Sequence, residues 1–174
     1  MHLPMKTFCT TIALLFALTA FAVPPNKCVE KLDLKRYAGK WYSLYSIPTM
    51  FDKGTRETTT TYTWNKDGYF NVLTIAKKGD DNKICTYTSK LFPDDANNGE
   101  MKAQFVWPFK IDYWVIDVAD DYSWVVVGHP DHKFLFIMSR KPSMDKKLYA
   151  ELVEKCKAMG YEVDKLTCQG HKGV

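Results

Sequence analysis

Few of the 174 residues have types and spacings that could carry covalent chemistry. Cysteine stands at positions 9, 28, 85, 156 and 168. A zinc knuckle or a thioredoxin-like redox site needs a Cys-x-x-Cys pair, and none occurs. His129 and His132 flank Pro130-Asp131 on a predicted loop, which gives two nitrogens where a catalytic metal takes three protein ligands. No serine-nucleophile motif or matched carboxylate pair stands out, so the residues supply no set of roles for a reaction. The chain reads as a non-enzyme, with no metal and no cofactor implied.

The elements that could position any site begin after a leader. Lys6 is followed by an uncharged, apolar run from Thr11 to Ala22. Ala20-Phe21-Ala22 has the small-x-small pattern of a signal-peptide cleavage site, which places the cut before Val23. The run falls short of the roughly 20 residues that span a bilayer, and no other stretch is long and apolar enough. Residues 1–22 therefore read as a signal peptide and residues 23–174 as one domain, secreted or periplasmic. Pro25-Asn26-Lys27 ahead of Cys28 lacks the apolar-small-small run of a lipoprotein signal. Removal of the leader takes Cys9 with it, and the four cysteines left in an exported chain suggest two disulfides. The net charge of +4 is too small to make nucleic acid an expected partner.

Eight short β-favouring segments follow at spacings of about a dozen residues, as in an all-β sandwich or barrel. They run 41–51, 56–64, 69–76, 84–92, 100–107, 111–118, 122–127 and 133–140. Ser143 is the predicted N-cap of a helix reaching Met159, stopped by Gly160. Leu148, Leu152, Val153, Cys156 and Met159 form its apolar stripe. The segment 133–140 is apolar on both parities, so it is covered on both sides, with the helix on the outer face. Thr58, Thr60, Tyr62 and Trp64 share one hydroxyl-rich parity, and Ala103, Phe105 and Trp107 another. Aromatics so distributed fill a small barrel or line a pocket, and the pattern alone leaves both open.

Three motifs in order resemble the lipocalin family. Gly39-Lys40-Trp41-Tyr42 looks like its Gly-x-Trp motif, and Asp120-Asp121-Tyr122 resembles its second motif with the tyrosine displaced by one. Arg140, in Phe136-Ile137-Met138-Ser139-Arg140-Lys141-Pro142, resembles the third. The resemblance covers residues 33–168 and is greatest toward the bacterial lipocalin and apolipoprotein D group, notably at Tyr113-Trp114-Val115-Ile116. It implies an all-β fold: an eight-stranded antiparallel up-and-down barrel with one C-terminal α-helix packed outside. Gly39, Trp41, Asp120 and Arg140 then become structural residues, Trp41 plugging the closed end with Arg140 stacked on its indole. Tyr62, Phe105, Tyr113, Phe136 and Met138 stand where the group lines its ligand cavity. Methionine suits a pocket that accepts varied shapes. The family pattern pairs Cys85 with Cys168 and Cys28 with Cys156. The function implied is carriage of a small hydrophobic or amphipathic ligand, such as a fatty acid or lysophospholipid, with peripheral membrane contact as a further partner class. The alternative is a protein-interaction or host-modulating module on the same scaffold, and an enzyme ranks below both.

Overall fold

The computed structural model describes residues 26–50, 52–79 and 83–171. The expected leader, residues 1–22, lies outside them. A four-residue helix, α1 (Leu34–Tyr37), precedes eight long strands: β1 (Gly39–Ile47), β2 (Thr55–Asn65), β3 (Tyr69–Lys78), β4 (Lys83–Pro93), β5 (Glu100–Val106), β6 (Phe109–Val118), β7 (Trp124–Gly128) and β8 (Leu135–Ser139). Helix α2 (Lys146–Ala158), a 3-10 turn (Val163–Lys165) and the two-residue strand β9 (Thr167–Cys168) complete the chain. Each strand pairs antiparallel with the next, and β1 pairs with both β8 and β2, which closes an eight-stranded barrel. β9 adds to β1 from outside, Cys168 opposite Tyr45.

The period-two pattern of each strand decides what faces inward. On β3, Phe70, Val72 and Ala76 are buried, while Leu73 and Ile75 are exposed. On β8 both parities are used: Met138 belongs to the interior cluster, and Leu135 and Ile137 to an exterior cluster with Leu152 and Cys156 of α2. The helix thus covers the outer face of β7 and β8, as the doubly apolar strand requires. Tyr45 stacks on Tyr149 at 3.9 Å, and Lys155 reaches Asp117 at 2.9 Å.

Several boundaries differ from the sequence expectation for local reasons. The N-cap of α2 is Asp145 rather than Ser143: its carboxylate accepts from the amides of Lys147 and Leu148. β7 begins at Trp124 because Tyr122, at φ +58°, still belongs to the preceding turn. β1 stops at Ile47, ahead of Pro48, which has no amide to donate.

The expected disulfides are corrected by the structure. Cys28, Cys85, Cys156 and Cys168 are all free thiols, so neither Cys28–Cys156 nor Cys85–Cys168 is formed. Cys28 is held at the β4–β5 turn, where Asn97 Nδ2 donates to its sulfur at 3.1 Å. Cys156 instead sits under α2 on the outer face. Cys85 lies on β4 opposite Ala76 of β3, whereas Cys168 lies on β9 beside β1.

Candidate functional site

The closed end is built around Trp41, which is fully buried. Asp33 caps α1 by accepting from the amides of Lys35 and Arg36, and α1 then lies against the barrel floor with Tyr37 fully buried. Trp41 Nε1 donates to Tyr37 O at 2.8 Å. The Arg140 guanidinium lies 3.6 Å from the centre of the Trp41 ring. It also donates to Lys40 O at 2.9 Å, Ala38 O at 2.9 Å and Tyr37 O at 3.2 Å. Gly39 sits between them at φ +95°, where a Cβ would stand 3.3 Å from Arg140 Nη1. Conformation and space therefore both call for glycine in this motif.

Above the floor the barrel opens into a cavity of about 420 Å³. Tyr62, Phe105, Tyr113, Phe136 and Met138 all line it. β2 supplies Tyr62, β5 Phe105, β6 Tyr113 and β8 the last two. Phe136 and Met138 thus point inward rather than under the helix. One wall is apolar, with Ala103, Phe105, Ile111 and Phe134 beside Phe136 and Met138. The opposite wall carries Ser43, Thr58, Thr60, Thr74 and Ser89. Thr58 donates to Gln169 Oε1 at 2.8 Å, so the tail after β9 braces this hydroxyl wall.

At the rim, Asp52 accepts from the Thr49 amide at 2.6 Å and from the Thr49 hydroxyl. Burial raises its pKa against those hydrogen bonds. At the floor, Tyr113 Oη lies 2.6 Å from Tyr62 Oη and 3.0 Å from Tyr37 Oη. Burial raises all three phenol pKa values, so the hydroxyls stay protonated in neutral solution. The lining holds hydroxyls and one carboxylate, and no cysteine or histidine among the described residues. Those described residues also hold no group of three or more His, Cys, Asp or Glu side chains that could bind a metal. His129 is buried, its Nδ1 accepting from the Asp131 amide at 3.0 Å, and His132 Nε2 pairs with Met159 O at 2.7 Å. Both histidines brace the β7–β8 loop.

The barrel wall is not uniform. The β4–β5 ladder joins only Lys90–Pro93 to Met101–Gln104. Mouthward of it, Thr86, Tyr87, Thr88 and Ser89 all line the cavity, both parities together. The β5–β6 hairpin beside this gap ends in Val106-Trp107-Pro108-Phe109, with Trp107 82% and Phe109 75% exposed.

Sequence reasoning missed Tyr37, Ser43, Tyr87, Ser89 and Phe134. The β4 parity Tyr87, Ser89, Leu91 offered a signal. For Tyr37 there was almost none, because α1 is shorter than the period that reveals a helix.

A family model described as a lipocalin-like domain matches residues 32–171. The chain belongs to the lipocalin family. Relatives include temperature-induced lipocalin-1 of Arabidopsis thaliana, 31% identical over 146 residues, covering 79% of this chain and 78% of that one. The outer membrane lipoprotein Blc of Citrobacter freundii is 30% identical over 159 residues, covering 90% of each. Bovine (Bos taurus) apolipoprotein D is 24% identical over 150 residues, covering 79% of this chain and 76% of that one. Among solved structures, insecticyanin of the tobacco hornworm Manduca sexta superposes with a TM-score of 0.69 at 15% identity, covering 87% of both chains. In this lipocalin Asp120 contributes through its backbone: its carbonyl accepts from Arg36 Nη2 at 2.8 Å. The neighbouring Asp121 carboxylate closes the turn on the Ser123 amide at 2.9 Å. Tyr122 carries Arg36 on its ring at 4.3 Å, and its hydroxyl accepts from the Asp33 amide at 2.7 Å.

Proposed function

We propose that this lipocalin is an exported, non-enzymatic carrier that holds a small hydrophobic or amphipathic molecule, of the fatty acid or lysophospholipid kind, in its barrel. The observation that carries the reading is the cavity itself: about 420 Å³, walled by aromatics on one side and hydroxyls on the other. Its volume lies in the roughly 300–1,000 Å³ range of small-molecule sites, and burial of apolar surface supplies the affinity. The leader motif around Ala20-Phe21-Ala22 supports export. Unlike a lipoprotein, this chain has Pro25-Asn26-Lys27 before Cys28, which supports an unanchored protein. Solvent extraction of the purified protein followed by mass spectrometry should release a lipid, and a fluorescent fatty acid should bind and be displaced. An empty extract with no displaceable probe would refute the reading.

The exposed hairpin tip favours peripheral contact with a lipid surface. Trp107 and Phe109 project from a charge-free tip beside the β4–β5 gap, where a bilayer can take both rings at about 1.5–3 kcal/mol each. Flotation with phosphatidylcholine vesicles should recover the protein and fail to recover W107S/F109S. Equal recovery of the two would remove this partner class.

A further inference from the structure

Among the described residues that line the cavity, one side chain carries a charge in neutral solution: Asp52, in the β1–β2 loop at the mouth. The loop fixes it at two points. Its carbonyl accepts from the Thr55 amide at 3.0 Å and from the Thr55 hydroxyl at 2.7 Å, which ties it to the start of β2. Its Oδ1 accepts from the Thr49 amide at 2.6 Å and from the Thr49 hydroxyl. Both side-chain bonds fall on that one oxygen, and no other described residue donates to Oδ2. An ionised carboxylate has acceptor sites on both of its oxygens.

No lysine, arginine or histidine among the described residues pairs with this carboxylate. Burial works against its charge. A half-buried anion without a counter-ion is costly to hold, and a cation brought to it relieves that cost. Tyr87 of β4 also lines the cavity. Its phenol pKa is raised first by the hydrogen bond with Cys85, and the Asp52 charge adds to the rise, so the two groups lie within electrostatic reach of each other. The mouth thus offers a carboxylate for a positive charge and an aromatic ring in reach of the same charge.

We infer that Asp52, with Tyr87 in reach, seats a positively charged head group, so that this lipocalin prefers a single-chain amphiphile ending in an ammonium. The inference deepens the carrier reading and rests on it. The tail lies along Phe105, Ile111, Phe134 and Phe136, and the head stays at the rim. A fatty acid brings a second negative charge to a lining that offers no cation among its described residues, so it binds more weakly than an ammonium of the same chain length. An alcohol of that length is the uncharged reference. Two kinds of lipid carry such a head. A choline lipid ends in a quaternary ammonium, which suits the aromatic ring, and a long-chain amine has three N–H donors, which suit Oδ2.

The test measures displacement of an uncharged fluorescent probe, N-phenyl-1-naphthylamine, from wild-type protein and from D52N. The competitors are dodecyltrimethylammonium, dodecylamine, dodecan-1-ol and dodecanoate, each below its micelle concentration. Asparagine keeps an acceptor oxygen for Thr49, so the loop is retained. In the wild type the better ammonium is expected to outcompete the alcohol by roughly tenfold at low salt, the effect of one half-exposed ion pair and one cation–π contact. The gap should narrow at high salt. In D52N it should fall to about twofold or less, and dodecanoate should bind more tightly than it does to the wild type. A quaternary head that outranks the amine assigns the site to choline lipids, and the reverse order assigns it to long-chain amines. A purely structural role for Asp52 would weaken all four competitors alike and keep their ratios. Equal affinity for ammonium and alcohol in the wild type, or a preference that survives undiminished in D52N, overturns the inference and leaves the carrier reading standing. Failure of every competitor, and of the probe itself, overturns both.

Discussion

Replacing Arg140 by alanine tests whether the closed end depends on one side chain. The guanidinium lies 3.6 Å over Trp41 and bonds carbonyls of Tyr37, Ala38 and Lys40. The stacking is worth about 0.5–2 kcal/mol. Of the hydrogen bonds, those to Tyr37, Ala38 and Tyr122 are partly buried; the first two share one nitrogen and the third is long at 3.4 Å, so we count them as one charge-assisted bond of about 1.5–3 kcal/mol. The bonds to Lys40 O and Arg36 O are exposed, and water replaces them in the variant at little cost. R140A should therefore lose about 2–5 kcal/mol, which at this size is a fall in Tm of roughly 6–15 °C. R140K keeps the charge but has no planar fork to spread over the indole and reach two carbonyls at once, so it should recover less than half of the loss. Urea unfolding followed by tryptophan fluorescence measures both, and a W41F/R140A double-mutant cycle isolates the stacking. An R140A loss below 1 kcal/mol, or full rescue by lysine, would show that α1 and Trp41 hold the floor without the arginine.

Two further predictions concern titration. His129 sits below its ordinary pKa of 6.5, first because burial penalises the cation and then because Lys133 is near. Its neutral ring accepts from the Asp131 amide, so the unfolded chain takes the proton first. The stability it contributes is complete above pH 6.5 and is lost as pH falls through the lower folded value. The urea midpoint should drop as pH falls below 6.5, less steeply in H129Q, and equal slopes would refute the assignment. Burial pushes the Cys156 thiol up to about 12 from 9.0, so little thiolate forms in mild alkali. At pH 8 an aromatic disulfide reagent should label exposed Cys168 in the folded protein and reach Cys156 only after unfolding. In alkali the sign is simple: the unfolded thiol ionises first, so stability falls as pH rises between 9.0 and about 12. Rapid labelling of Cys156 in the folded state would contradict its place under α2.

Much of the barrel is legible because alternation is a local property. Thr58, Thr60 and Tyr62 announce one inner face, and the doubly apolar 133–140 segment announces a strand covered by a helix. The five expected lining residues follow from such parities and from the family pattern together. What was not legible depends on distance. Gly128 looks like an ordinary loop glycine until the fold brings Tyr161 against it, where a Cβ would stand 2.0 Å from the phenol oxygen. The N-cap is Asp145 rather than the expected Ser143: both residue types cap well, and the path of the chain after Arg140 decides. The disulfide pairings came from the family pattern alone, and no periodicity in the chain could correct them.

The position of the cavity follows from a gradient of side-chain size along the inner faces. Toward the closed end the inward positions are Trp41, Tyr62, Phe70, Leu91 and Met101, all within the interior cluster. Toward the mouth the same parities of β1 to β4 become Ser43, Thr58, Thr74, Ala76 and Ser89, all on the cavity lining. Small residues at consecutive inner positions cannot meet across an eight-stranded barrel, whereas large ones can. The lower half is therefore packed, and the space collects above it. The facing strands β5, β6 and β8 keep large apolar residues up to the mouth, including Phe105, Ile111 and Phe136. An occupant is thus offered an aromatic surface on one side and hydroxyls on the other, with the tyrosine hydroxyls at the end it reaches last.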